Sequence, residues 1–280
     1  ILLFFATNVI AGLGVATDSQ GTWDAIIKGN LDAYGGDTEG RLAVGNNLTV
    51  HNSYSISSRL GQSNGSRDDL IVGGTFENKK TNWQVFSGNE IYGSSFVGVP
   101  PSFGGSGNQL IQDANRFDFA ARFNQAENLS KTLAALQPNG TVTDNGYGGL
   151  TLNGSHPTLN VFELSSSSFK SWGATFQINV PSSAVVVINV ADGSFTLPGG
   201  SFSTDIRSRL ILNLHGASSV NFAHFKMLGT VLAPYANLSL SGGSINGHAI
   251  IGGNATQING GEFHNYPFTA DLILPTGSIG

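Results

Sequence analysis

The stretch "VLAPYANLSLSGGSINGHAIIGGNATQI", Val231 to Ile258, decides the fold. It holds two copies of one phrase, beginning eighteen residues apart at Val231 and Ala249. Each copy is three apolar residues, a two-residue corner, then a short second strand of polar and small residues. "SGGSINGH" between them supplies another corner. Looser copies are "LAVGNNLTV" from Leu42 and "LIVGGTFEN" from Leu70. Strand, corner, strand, corner at this period is what a β-solenoid needs, because each coil buries its apolar face against the next. The expected fold is therefore all-β: a β-helix, solenoid-like, with a jelly roll or β-sandwich as the alternative, since those also join short strands by Gly-rich turns.

Composition agrees. Only 11% of the 280 residues are charged and 38 are Gly, which suits short strands and tight corners and suits helical bundles badly. The net charge of −5 and the lack of a Lys/Arg cluster beyond Lys79-Lys80 argue against nucleic acid as a partner. With no Cys, thiolate chemistry, Cys-ligated zinc and disulfides are excluded. One segment breaks the β pattern: in "DANRFDFAARFNQAENLSKTLAALQPNG", Phe119, Phe123, Ala126, Leu129, Leu133 and Leu136 recur at steps of three or four. This spacing predicts one flanking α-helix over about 114–137, capped by Asp113 or Asn115 and stopped by Pro138 and Gly140.

Seven N-x-S/T acceptors occur, at Asn47, Asn64, Asn128, Asn139, Asn153, Asn237 and Asn254, and are the candidate N-glycosylation sites. Asn47 and Asn254 hold the same place in their copies, just past the corner. Asn128 falls opposite the apolar stripe of the helix.

The stretch "KGNLDAYGGDTEGRLAVGNNLTV" resembles the start of the choice-of-anchor A domain, an adhesive domain of secreted surface proteins. Asp37, Glu39, Gly40, Arg41, Ala43, Val44, Gly45 and Asn47 match its pattern, and Asn46 replaces the second Gly. "FDFAARFNQAENLSKTLAAL", "LNVFEL" and "GTVLAPYANLSLSGGSINGHAIIGGN...GGEFHNYPF" follow in the same order, so the resemblance spans about residues 20 to 270. The layout is also similar to the ice-binding-type fold, a discontinuous β-helix with one long helix along its side. The resemblance implies a secreted or cell-surface protein with an adhesive role.

Motifs for chemistry are sparse. The six His show no H-x-x-x-H spacing, and there is no G-x-S-x-G elbow or phosphate-binding loop. Asp37 and Glu39 are the weak metal candidates. The plainer expectation is a Glu39–Arg41 salt bridge, since calcium needs more oxygen ligands than this segment offers. Asp68 and Asp69 read as a solvated loop; Trp83 and Tyr147 read as loop aromatics able to stack on sugars. Thr-x-Thr ladders suited to ice are missing apart from Thr141 to Thr143. No enzyme, cofactor or metal is expected.

The apolar start "ILLFFATNVIAGLGVA" lacks the Met and basic residue of a signal peptide, and Asn8, Gly12 and Gly14 make it a poor membrane helix. Residues 1–19 are expected to be an extension whose strand inserts into a neighbouring copy, with 20–280 as a single adhesive-type domain. Leu2, Leu3, Phe4, Phe5, Val9 and Ile10 would anchor that contact, and head-to-tail repetition would give a filament. The expected function is an extracellular structural or adhesive protein that assembles into a fibre. The alternative is a monomeric adhesin module binding carbohydrate or surface glycans, and ice binding is more distant.

Overall fold

The computed structural model describes residues 7–11, 13–80, 83–146, 148–169 and 174–275. They form a three-faced β-helix with one α-helix along its side. The first face is a parallel sheet whose strands lie in the spatial order Leu110–Gln112, Asn89–Tyr92, Asp68–Val72, Arg41–Val44, Gly21–Ile27, Ala249–Ile251, Thr230–Ala233, Leu210–Asn213, Val185–Val190 and Leu159–Leu164. The order is not the sequence order. The chain starts in the middle, winds to one end by Gln112, is carried past the sheet by the helix, and winds back from the far end. Its last coil then lands on its first, with Ala249, Ile250 and Ile251 paired to Ala25, Ile26 and Ile27.

Each three-residue apolar run serves two cores. In "LAV", "LIV", "VLA" and "AII", the flanking residues Leu42 and Val44, Leu70 and Val72, Val231 and Ala233, Ala249 and Ile251 point into the solenoid. The middle residues Ala43, Ile71, Leu232 and Ile250 point outward into a second cluster with Phe123, Ala126 and Leu133 of the helix, Leu13 to Ala16, and Phe268, Leu272 and Leu274. A parallel sheet buried on both sides reads as continuous apolar sequence rather than alternation. The glycine that follows "LAV", "LIV" and "AII" marks a corner where coils stack too closely for a side chain. A Cβ on Gly73 would collide with the carbonyl oxygen of Gly45, and one on Gly93 with that of Gly73.

The helix runs over Phe119–Ala134, shorter than the stripe suggested. Its cap is Asp118, whose Oδ1 accepts from the Ala121 N–H at 2.9 Å; Asp113 and Asn115 lie in the turn before it. The buried stripe includes Ser130, which apolar periodicity skips. Ser130 Oγ donates to Asn213 Oδ1 at 2.6 Å, Asn213 Nδ2 bonds Asn189 Oδ1 at 2.8 Å, and Asn189 Nδ2 bonds the Leu133 carbonyl at 2.8 Å. A ladder of two sheet asparagines thus fastens the underside of the helix. Arg122 reaches over the edge to the carbonyls of Gly14 and Thr17, both at 2.7 Å.

Strand Thr7–Ala11 pairs antiparallel with Asp271–Pro275 of the same chain as a separate two-stranded sheet. Val9 and Ile10 therefore have backbone partners within the protomer, at Ile273 and Leu272. Leu2, Leu3, Phe4 and Phe5 lie outside the described residues. Among the described residues no helix is long and apolar enough to cross a membrane.

Candidate functional site

The second face carries the most regular arrangement of exposed groups. Its strands pair in parallel and in register, so one position per coil falls into a single row: Thr196, Asn221, Ser239, Thr256, Asp32, Thr49, Glu77, Val97. The intervening residues, among them Phe195, Val220, Leu238, Ala255, Leu31, Leu48 and Phe76, are buried in the solenoid. Parallel strands repeat at about 4.8 Å, so the row is a one-dimensional lattice of mostly small polar side chains.

A second row runs beside it along the corner. The Asn237 Oδ1 accepts from the Asn254 N–H at 2.7 Å, Asn254 Oδ1 from the Asn30 N–H at 2.8 Å, Asn30 Oδ1 from the Asn47 N–H at 3.1 Å, and Asn47 Oδ1 from the Thr75 N–H at 2.8 Å. Ser194 and Ser219 extend the row at one end; Thr75 Oγ1 and Ser95 Oγ, 3.0 Å apart, extend it at the other. Each asparagine satisfies an N–H that the corner removes from the strand ladder. Three of the seven sequons, "NLT" at Asn47, "NLS" at Asn237 and "NAT" at Asn254, are this pattern: a corner asparagine, an inward apolar residue, an outward hydroxyl.

Thr-x-Thr occurs only at Thr141 to Thr143, which lies on an exposed strand, Thr141–Asp144, paired antiparallel rather than in the parallel ladder. Four of the coils instead carry Asn/Ser-x-Ser/Thr, at Asn47, Ser194, Asn237 and Asn254, from segments far apart in the chain. Beyond the rows, Tyr34 stacks on His51 with ring centroids 4.0 Å apart, and His51 Nε2 meets Asp32 Oδ1 at 2.8 Å.

The remaining sequons differ from these. Asn64 and Asn128 are exposed. Asn139 is held at both amide atoms, to the Leu159 carbonyl at 2.9 Å and the Val161 N–H at 2.7 Å. Asn153 is half-buried, and its Oδ1 accepts from Asn179 at 2.8 Å.

Several charged and aromatic expectations are overturned. Glu39 and Arg41 do not pair, because Gly40 turns the chain between the third face and the first. Glu39 binds Arg59 at 3.1 Å. Arg41 is buried, lies 3.6 Å from the Trp23 ring centroid and pairs with Asp18 at 2.7 Å. Asp68 and Asp69 are buried at the start of a strand, not solvated: Arg116 meets Asp68 at 2.7 Å and Arg67 meets Asp69 at 2.5 Å. Trp83 is buried and stacked on Tyr54, so it offers no surface to a sugar. Tyr147 lies outside the described residues. Asp37, the other weak metal candidate, stands on the third face beside Glu262 and His264.

A cavity of about 690 Å³ opens between the start of the helix and the first face, lined by Asp18, Gln20, Arg41, Asp68, Arg116 and Arg122. Its charges are held by one another and by backbone carbonyls, as given above for Arg41, Arg116 and Arg122, which makes it a structural seam.

Residues 16–265 match a sequence family described as "Putative Ice-binding-like adhesive domain". No curated protein matches the chain. Similar solved structures include an ice-binding protein from an Antarctic Biological Consortium, at 15% identity over 97% of both chains with a TM-score of 0.46. Another is an ice-binding protein of the Antarctic ascomycete Antarctomyces psychrotrophicus, at 12% identity, covering 91% of this chain and 98% of that one, TM-score 0.36. A third is a glycosylated ice-binding protein from an Arctic yeast, at 13% identity, covering 91% and 94%, TM-score 0.38.

Proposed function

The chain belongs to this ice-binding-like adhesive family, and we propose that it is a secreted or cell-surface adhesive domain that docks on an extended, regular surface through its second face. The observation that carries this reading is the pair of in-register rows, a corner row of Asn, Ser and Thr beside a strand row of mostly small polar residues, with one position of each per coil. A lattice of short hydroxyls and amides, several of them tied to the corners, loses little side-chain entropy on contact and matches a partner that is itself periodic. Ice is the first surface to test, and an insoluble crystalline polysaccharide the second, with the Tyr34–His51 stack as a platform for a sugar ring. Nothing in this mechanism makes or breaks a covalent bond.

The test is uptake of fluorescently tagged protein into a slowly growing ice hemisphere, beside pull-down on the polysaccharide. Wild type should partition into one of the two solids. Thr49→Tyr and Thr256→Tyr, which raise a ring above the row, should cut that uptake at least tenfold, while Lys226→Ala on the third face should not. Exclusion of the wild type from both solids would overturn the reading, as would unimpaired uptake of the two tyrosine variants.

The same geometry separates the sequons. Glycans on Asn47, Asn237 or Asn254 would stand on the proposed docking face and cover it. We assign those three asparagines to corner bonding and expect any glycans on Asn64 and Asn128.

Fibre formation is a second reading, favoured by the separate sheet of Thr7–Ala11 and Asp271–Pro275. The same strand pair formed between copies would give a head-to-tail contact at no loss of hydrogen bonds. Leu2, Leu3, Phe4, Phe5, Val9 and Ile10 would then anchor in the neighbour. Removing residues 1–11 spares Leu13, Val15 and Ala16, which are core residues. Filaments seen by electron microscopy in the full chain and absent after this deletion support the reading; unchanged filaments reject it.

A further inference from the structure

The third face brings together three groups from the two halves of the chain. Glu262 and His264 alternate on the strand Glu262–His264, so both side chains leave the same side. Phe263 of that strand pairs with Thr38 of Gly36–Thr38, which sets Asp37 beside Glu262. One ligand atom from each of Asp37, Glu262 and His264 lies within 4.8 Å of the other two.

The hydrogen bonds around His264 place a hydrogen on its Nδ1. Asn246 is buried, and its Nδ2 is turned to the Met227 carbonyl at 3.0 Å and to Ser244 Oγ at 2.7 Å. Its Oδ1 therefore faces His264 Nδ1, 3.0 Å away, and Nδ1 carries the hydrogen. In the neutral ring Nε2 then presents a lone pair, yet it lies 2.9 Å from Glu262 Oε2, another lone-pair donor. Two acceptors at that distance repel unless a proton or a metal cation lies between them. Asp37 adds a third: its Oδ1 is shielded from solvent and has no hydrogen-bond partner among the described residues.

We propose that Asp37, Glu262 and His264 bind one divalent transition-metal ion, with Asn246 orienting the imidazole from behind. A ligating histidine that gives its other N–H to a fixed acceptor is the usual outer-shell arrangement of such sites. One imidazole and two carboxylates suit zinc or manganese; calcium, which takes six to eight oxygens, is disfavoured. The ion would staple residue 37 to residues 262 and 264, at the place where the last coil lies on the first. Glu39 adds a neighbouring tie there, accepting from the Asn265 N–H at 3.1 Å while it holds Arg59.

The test uses the full chain stripped with chelator, titrated with zinc chloride in a calorimeter and melted with and without the metal. One ion should bind, calcium chloride should give at least tenfold weaker binding, and zinc should raise the melting temperature. Asp37→Asn and His264→Gln should each weaken zinc binding at least tenfold and abolish the zinc-dependent rise. Circular dichroism of each metal-free variant keeps loss of the site apart from loss of the fold. The proposal is overturned if the folded wild type binds no zinc, in which case a proton on Nε2 bridges His264 and Glu262. It is also overturned if both variants bind as tightly as wild type, or if calcium binds as well as zinc.

Discussion

Glu90 is fully buried, held among the described residues only by the Trp83 indole N–H, 3.3 Å from Oε2, and burial pushes it up to about 8. It is neutral in the folded chain while the unfolded chain ionises near the ordinary 4.5. Folding then requires uptake of a proton, so its contribution falls as pH rises from about 4.5 to 8. Glu90→Gln keeps the shape without the ionisable group. It should melt higher than wild type at pH 8, by on the order of 2–5 kcal/mol of stability, and match it at pH 4.5. His248 works in the opposite direction. Its Nδ1–H donates to the Trp23 carbonyl at 2.6 Å, its Nε2 accepts from the Phe268 N–H at 3.0 Å, and burial lowers it to about 4 from the ordinary 6.5. Stability from the neutral ring is complete above pH 6.5 and is lost as pH falls toward 4. Melting temperature against pH should therefore pass through a maximum in wild type, and have a shallower alkaline slope in Glu90→Gln. Neither residue stands out in sequence; only the stacking of coils over them removes water.

At the scale of elements, the helix is fixed to the sheet by polar as well as apolar contacts. Asn213→Leu would strand Ser130 Oγ and Asn189 Oδ1 in a dry seam, costing about 2–4 kcal/mol. Replacing Ser130 by Ala in the same chain should recover part of that loss, because fewer buried groups are then left unpaired. Urea titration of the single and double variants measures this coupling, and additive losses would remove the ladder from the account. The helix itself was legible from its 3.6-residue stripe, and Asn128 is exposed as its position opposite the stripe implied. Its start was not legible: three acceptor-bearing residues, Asp113, Asn115 and Asp118, offer a cap, and packing of Phe117 edge-on against Trp23, 5.2 Å away, selects the last. The corner asparagines have the same history. Their repeat was visible as sequons, but the Oδ1-to-N–H bonding from coil to coil exists only once the coils are stacked.

For the whole molecule, the decisive contact is between coils more than two hundred residues apart: Ala249 to Ile251 against Ala25 to Ile27, Thr256 against Asp32, Asn254 against Asn30. The paired strands Thr7–Ala11 and Asp271–Pro275 bring Thr7 opposite Pro275. A permutant that links residue 275 to residue 7 and opens at the exposed Gln137–Pro138 makes this contact local in sequence. It should keep the native circular dichroism and refold faster than the natural order, since less chain must close before the junction forms. Stopped-flow refolding checks this, and an unchanged rate would mean that the junction forms after the rate-limiting step.

The sequence by itself determined the coil: apolar triplets, glycine corners, polar-out second strands and one amphipathic helix are local patterns, each readable from spacing alone. Tertiary structure decided which coils are neighbours. Two half-solenoids, each with an open strand edge in the middle of the molecule, are completed by pairing with one another, and no local pattern records that choice. The pairing places Asp37 with Glu262 and His264, extends the asparagine ladder through Asn254 and Asn30, and joins the outward hydroxyls and amides of both halves into one continuous row. It is a long-range burial of backbone edges, so the groups it gathers are separated in the chain and adjacent only in the fold.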